Sequence, residues 1–142
     1  MHPQPLLCVS DVEASSRWYQ MLLGCNSVHG GPNYERLEID GQLVMQLHRW
    51  EEEHHHGKSG DRDDPSRGNG VLLWFEISDF DDAVRRAAEM NIEVILPRHR
   101  NPPDSDGGPN HWELWLYDPD GYKVVLASPD GTADGSWKPG VE

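Results

Sequence analysis

Residues 6–24 read LLCVSDVEASSRWYQMLLG, and residues 71–91 read VLLWFEISDFDDAVRRAAEMN. Each stretch starts with a short apolar strand, continues with a serine and an aspartate, and then repeats apolar residues at helical spacing. In both we expect the serine, Ser10 or Ser78, to be the N-cap residue, because an acidic residue follows it three positions later. The two stretches therefore predict the same strand and helix unit twice.

The spacing of the two stretches indicates a duplicated module. Asp11 and Asp79 hold equivalent places and are 68 residues apart, close to half of the 142-residue chain. This distance is too long for a solenoid repeat and fits two copies of one larger unit. Gly24 stands where a left-handed C-cap would end the first helix, and Asn91 takes that place in the second.

Further strands follow each helix. Asp40-Gly41 separates two alternating runs in the first copy, and Asp118-Pro119-Asp120-Gly121 separates two in the second, which is typical of hairpin turns. The predicted strands are residues 6–9, 34–39 and 43–48 in the first copy and 71–75, 93–96, 111–117 and 122–127 in the second. The sequence thus predicts an α+β fold made of two βαβββ modules.

Composition divides the chain between these modules and polar segments. The run Glu51 to His56 reads EEEHHH and belongs to a polar, glycine-punctuated stretch. Residues 97–109 are expected to form a second polar loop. We expect a first module at 1–50, a connector at 51–70, a second module at 71–128 and a loose tail at 129–142.

Charge and hydropathy exclude several classes of function. The chain has 12 Lys and Arg against 25 Asp and Glu, a net charge of −13, which disfavours binding to nucleic-acid phosphates. No apolar run reaches the ~18–20 residues of a membrane span, and the N-terminus lacks a secretion signal. We expect a cytoplasmic protein with neither a nucleic-acid nor a membrane partner, in which Cys8 and Cys25 are buried free thiols.

The paired modules carry motifs of a known superfamily. The opening Val9-Ser10-Asp11-Val12 is followed by Trp18-Tyr19 and Leu22-Leu23-Gly24, and the second copy ends in Tyr117-Asp118-Pro119-Asp120-Gly121-Tyr122. Over about residues 4–128 the chain resembles the vicinal oxygen chelate superfamily, which includes glyoxalase I, bleomycin-resistance proteins and extradiol dioxygenases. The resemblance implies a curled mixed sheet around a cleft, with metal ligands on inward strand faces in the metal-dependent members.

The resemblance also implies where such ligands would stand. The four positions are Gln4, Met45, Leu72 and Val125, and a shift of one residue in register would replace Met45 by Gln46. Zinc needs about four N, S or O donors, and magnesium needs about six oxygens. Because three of the four positions are apolar, we expect no metal and no other cofactor at this site.

Strand alternation predicts which other side chains face the same way. With the four ligand positions, the candidate ligand-binding residues are Gln4, Leu6, Cys8, Met45, Leu72, Trp74, Glu76, His111, Glu113, Trp115 and Val125, and Leu43 and Leu47 share their parity. In this hypothesis Trp74 and Trp115 stack a flat or cationic ligand, and Glu76 and Glu113 pair with its positive groups. Alternatively, the tryptophans fill the core, and Glu113 holds a loop or pairs with Lys123.

These features favour a metal-free protein that binds a small cationic or aromatic molecule, as bleomycin-resistance proteins do. The alternative is a lyase, isomerase or dioxygenase of the same superfamily, with shifted ligands such as Gln4, His111 and Glu113, or with His111 or Glu113 as general base. A third hypothesis is that the chain is an interaction module that binds another protein and no small ligand. We expect a homodimer, because the long connector permits exchange of modules at a small cost in loop entropy.

Overall fold

The computed structural model describes residues 1–50, 59–101 and 111–129, and the chain divides into two compact units, Met1–Arg67 and Gly68–Glu142. The first unit contains β1 (Leu6–Val9), α1 (Val12–Leu23), β2 (Asn26–Ser27), β3 (Tyr34–Ile39) and β4 (Gln42–Arg49). The second contains β5 (Leu73–Glu76), α2 (Phe80–Glu89), β6 (Val94–Asn101), β7 (His111–Tyr117) and β8 (Lys123–Ala127). The predicted α+β fold with two βαβββ modules is confirmed.

The two sheets have the same topology. Their strand orders are β1-β4-β3-β2 and β5-β8-β7-β6. In each sheet the first and last strands of the unit pair in parallel, with Leu6 opposite Gln46 and Leu73 opposite Val124, and the remaining pairs are antiparallel. No helix in the described part of the chain is long and apolar enough to cross a membrane.

Helix α1 buries its apolar stripe against β3 and β4. Val12, Tyr19 and Leu22 are almost fully buried, and the helix ends at Gly24, whose φ of 73° is the left-handed value that glycine accepts without steric cost. The N-cap is Asp11, whose side chain accepts a hydrogen bond from the backbone of Ala14, so the prediction of Ser10 as N-cap is wrong by one residue.

Helix α2 is shorter than α1 and buries one large side chain and two small ones. Phe80, Ala83 and Ala87 are buried. Its N-cap is Asp79 rather than the predicted Ser78, and the Asp79 carboxylate pairs with Arg86 at 2.9 Å instead of capping the backbone. The start of α2 thus has an ion pair at the place where the start of α1 has a capping hydrogen bond.

Two predicted strand boundaries are wrong by more than one residue. Strand β6 continues to Asn101, although a loop was expected from residue 97, and β5 begins at Leu73 rather than at Val71. Proline is tolerated within β6 because this strand lies at the sheet edge, where its pairing with β7 is irregular. Residues 102–109 of the expected loop, the Glu51–His56 run and residues 130–142 of the tail lie outside the described residues.

Candidate functional site

The second sheet has one face against α2 and one face turned away from it. Arg98 of β6 lies 3.0 Å from Asp81 of α2, and its guanidinium covers the ring of Trp112, which places α2 on the Trp112 side. Because neighbouring strand residues alternate in direction, Glu113 and Trp115 lie on the opposite side. We call that side the open face.

Cross-strand pairing brings most of the predicted second-unit residues together on the open face. Trp74 pairs with Val125, which pairs with Trp115. In the next row Glu76 pairs with Ala127, which pairs with Glu113, and His111 lies two residues before Glu113 on the same strand. Leu72 precedes β5 and is 39% exposed, so no sheet face is assigned to it.

Two tryptophans dominate the open face. The ring centroids of Trp74 and Trp115 are 6.5 Å apart with an interplanar angle of 77°, and the Trp74 ring lies 5.8 Å from that of His111. Val125, the residue between the two tryptophans in the sheet, is fully buried, whereas Trp74 is 43% exposed. The exposed indole of Trp74 offers a flat apolar surface on which an aromatic molecule can stack, and the Trp115 indole stands nearly perpendicular beside it.

Glu113 is fully buried and both of its oxygens have partners. Oε1 accepts hydrogen bonds from Asn101 Nδ2 at 2.8 Å and from His111 Nε2 at 2.7 Å. Oε2 accepts from Trp115 Nε1 at 2.9 Å and lies 3.3 Å from His99 Nε2. The alternative in which Lys123 is the partner is wrong, because Lys123 lies opposite Tyr117 instead.

These contacts decide the charge state of Glu113. Burial by itself would raise the pKa of this carboxyl, but hydrogen bonds from Trp115, Asn101 and His111, together with the charge of His111, outweigh it and hold the pKa below its usual value. Glu113 is therefore an ionised residue that orients Trp115 and His111. Its oxygens are already engaged by protein donors, so a cationic ligand would have to compete with those donors.

Sequence reasoning missed His99 and Asn101. Both stand on β6 and contact Glu113 from the neighbouring strand, with His99 opposite Glu113 and Asn101 opposite His111. The polar composition of residues 97–109 predicts a loop there instead. The alternation of Arg98 and Arg100 with His99 and Asn101 was the available signal that the strand continues.

The predicted residues of the first unit are not all on one face. Leu6 pairs with Gln46, and Leu37 pairs with Met45 on the side that carries Glu35 and α1. Met45 is 1% exposed, so the prediction that it shares a face with Leu6 is wrong, and Gln46 takes that place.

The amide of Gln46 connects its own strand to the start of the chain. It accepts a hydrogen bond from the Tyr34 hydroxyl, and it donates one to the backbone oxygen of Gln4 at 3.1 Å. Gln4 itself is exposed, whereas Cys8 is buried and, like Cys25, is a free cysteine as predicted.

The side chains at the expected metal positions do not fit a metal. If Gln46 is taken as the ligand position instead of Met45, the site has one more amide oxygen donor. Leu72 and Val125 still offer none. Among residues 1–50, 59–101 and 111–129, no group of three or more His, Cys, Asp or Glu side chains is placed to hold a metal ion. The carboxylate of Glu113 already accepts hydrogen bonds from three protein side chains.

The first unit contains a buried carboxylate of its own, which the sequence did not reveal. Glu35 is 2% exposed and lies on the α1 side of its sheet. Burial would raise its pKa, but its hydrogen bonds outweigh that effect and lower the pKa to about 2. Its donors are the hydroxyls of Ser16 and Ser27 and the backbone N–H groups of His29, Gly30 and Arg36. Glu35 therefore ties helix, loop and strand together.

Comparison with known proteins agrees with this architecture. The family model described as Glyoxalase/Bleomycin resistance protein/Dioxygenase superfamily matches residues 2–126. An integron cassette protein from V. cholerae is 18% identical with a TM-score of 0.67, covering 90% of this chain and 94% of that chain. No curated protein sequence matches the chain.

Two further solved structures share the fold. A lactoylglutathione lyase from Agrobacterium tumefaciens is 16% identical with a TM-score of 0.65, covering 90% of this chain and 92% of that chain. A bleomycin resistance determinant encoded on the transposon Tn5 is 16% identical with a TM-score of 0.60, covering 91% of this chain and 98% of that chain. At these identities the likeness concerns the fold alone.

Proposed function

Because the chain belongs to the Glyoxalase/Bleomycin resistance protein/Dioxygenase superfamily, we propose that it binds a small, flat aromatic molecule without a metal, on the open face of its second unit. The observation that carries this proposal is the exposed indole of Trp74 beside Trp115. Trp74 is 43% exposed on a sheet face, so a ligand that covers its indole removes apolar surface from water. This burial lowers the free energy of the complex and favours binding.

The charge of the molecule supports a ligand with positive character. The chain has a net charge of −13. Glu76 is an exposed carboxylate at the end of β5, two residues after Trp74 and on the same face of the strand. A cation stacked on an indole also gains from the electron-rich ring face. Glu113 contributes here by fixing the orientation of Trp115 and not by direct pairing with the ligand.

No observation favours the enzymatic alternative. A general base must take up a proton near the working pH, whereas the hydrogen bonds to Glu113 hold its pKa below the usual carboxylate value. The open face is therefore better suited to holding a ligand than to removing a proton with this carboxylate.

Two aromatic probes test the proposal by calorimetric titration: 2-naphthylmethanol, which is neutral, and trimethyl(2-naphthylmethyl)ammonium, which carries a fixed positive charge. We expect Trp115→Ala to weaken binding of both by roughly 2–4 kcal/mol, as for a central anchor. Trp74→Ala should also weaken both, and because Trp74 is already 43% exposed this variant should fold normally.

Trp112→Phe is the matched control, since Trp112 lies on the same strand with its ring on the opposite side. It should bind both probes as the natural chain does. If neither probe binds the natural chain, or if Trp74→Ala and Trp115→Ala both keep its affinity, the proposed site is wrong.

A further inference from the structure

Each ring nitrogen of His99 has an oxygen atom beside it. Its Nδ1 lies 2.8 Å from the carbonyl oxygen of Pro97, and its Nε2 lies 3.3 Å from Glu113 Oε2. A carbonyl oxygen and an ionised carboxylate can only accept hydrogen bonds. A neutral ring carries one N–H, so it leaves one of these contacts without a proton, whereas an imidazolium donates to both.

Among residues 1–50, 59–101 and 111–129, the charged and titratable groups on the open face near His99 can be named strand by strand. From β7 it faces Glu113 and His111, from β8 the same face carries Lys123, and from β5 it carries Glu76. The arginines that flank His99 on β6 lie on the other side of the sheet, where they stack on the Trp112 ring. Helix α2 also lies on that other side.

The protonation of His99 therefore changes the balance of charge on the open face. With His99 neutral, the described residues of this face carry the charges of Glu76, Glu113 and Lys123, together with that of His111 when its ring is protonated. Adding a proton to His99 places one further positive charge on this face, against Glu113. Histidine is the side chain that changes charge near neutral pH.

We propose that His99 is a specificity-determining residue of the open face: its protonated ring adds a positive charge that opposes binding of a cationic aromatic ligand, and its neutral ring does not. This inference rests on the proposed function and names the ligand charge that the site selects.

The two naphthalene probes measure this effect directly when titrated at about pH 5.5 and about pH 8, on either side of the histidine range. For the ammonium probe we expect roughly three- to tenfold tighter binding at the higher pH, as one unit charge near a partly exposed site produces. For 2-naphthylmethanol the affinity should stay constant. In His99→Gln this difference between the two pH values for the ammonium probe should be smaller than in the natural chain.

His29→Gln is the matched control, because the Nδ1 of His29 also lies 2.7 Å from a backbone carbonyl oxygen, that of Gly30, but in the first unit. It should keep the pH dependence of the natural chain. The inference is overturned if His99→Gln keeps that dependence, or if the neutral probe shows it as well. Failure of both probes to bind at either pH would instead contradict the proposed function.

A measurement without ligand keeps the inference testable in that case. Trp115 Nε1 donates to the same Glu113 oxygen that His99 contacts, so the NMR resonance of this indole N–H should move with pH in the natural chain and move less in His99→Gln. An indole resonance that titrates equally in both proteins would show that His99 does not act on Trp115 through Glu113.

Discussion

Each unit buries one ionised glutamate, and the two carboxylates have different positions in their sheets. Glu35 lies on the helix side and accepts hydrogen bonds from the helix, a loop and its own strand. Glu113 lies on the open face and accepts hydrogen bonds from two ring N–H groups and one amide. The first stabilises the fold, and the second fixes the orientation of the aromatic side chains proposed to bind ligand.

Replacing Glu35 with Gln should destabilise the first unit. The folded state lowers the pKa of this carboxyl from 4.5 to about 2, so its contribution is complete above pH 4.5 and is lost as the pH falls toward 2. At neutral pH we expect Glu35→Gln to cost about 3 kcal/mol of unfolding free energy. Urea denaturation at neutral and acidic pH measures this, and the variant should lose less stability on acidification than the natural chain.

Glu38→Gln on the same strand is the control for this change. Glu38 is paired with Arg36 at 3.5 Å and is partly exposed, so its loss should change stability by less than about 1 kcal/mol. Equal urea midpoints for Glu35→Gln and the natural chain at neutral pH would refute the role assigned to Glu35.

At the residue scale, the position of a site residue could be predicted where it follows from alternation within one strand. It could not be predicted where it depends on pairing between distant strands. Alternation along single strands placed Trp74, Glu76, Glu113 and Trp115 on one face correctly, because the period of two is a property of each strand. It did not place Met45, because the pairing of β1 with β4 joins residues some forty positions apart and no local pattern determines its register. Of the donors to Glu113, His111 and Trp115 lie two residues away on β7, and only Asn101 comes from a neighbouring strand.

At the scale of elements, the two helices begin in different ways despite similar sequences. Asp11 Oδ1 accepts from the backbone N–H of Ala14 at 2.9 Å, whereas Asp79 makes no such bond and pairs with Arg86. Both helices have a serine followed by an aspartate, so the sequence shows that a cap is present but not which of the two residues caps. Backbone geometry at the strand end decides that.

Removing the cap should therefore affect the two helices unequally. We expect Asp11→Ala to cost about 1 kcal/mol of unfolding free energy, the usual value of an N-cap side chain. Asp79→Ala should cost less, because it loses only a largely exposed ion pair. Thermal denaturation of both variants checks this, and a larger loss in Ser10→Ala than in Asp11→Ala would restore Ser10 as the cap.

Strand β6 shows why element boundaries were less predictable than the elements themselves. Proline lacks an N–H and usually interrupts a sheet, so a strand is not expected to run through Pro97. At the edge of a sheet the missing donor can face outward, and the pairing shifts between Leu96 and His99 accommodate it. That β6 is an edge strand follows from the order of the whole sheet, which a local sequence pattern does not contain.

At the scale of the whole molecule, the edge strand β6 exposes apolar side chains that remain to be covered. Val94 is 48% exposed and Leu96 is 42% exposed. Edge strands with exposed apolar residues favour pairing with another chain. These observations support the proposal, first made from the length of the connector, that the chain forms a homodimer.

Sedimentation equilibrium at micromolar concentration tests this proposal. We expect a mass of about twice the 16.1 kDa of one chain. Val94→Lys places a charge on the edge strand and should shift the equilibrium toward the single chain, whereas Val28→Lys, at another exposed valine in the first unit, should not. A mass of 16.1 kDa for the natural chain would contradict the proposal.

The order of strands in the first sheet also has a consequence for synthesis on the ribosome. Every strand pair of that sheet lies between Leu6 and Arg49, including the parallel pair that joins its first strand to its last. All the backbone partners of the first unit's sheet have therefore been synthesised before the residues of β5 are translated. The first half of the nascent chain can complete its sheet without waiting for its duplicate, which limits the time that its unpaired strand edges are exposed to other chains.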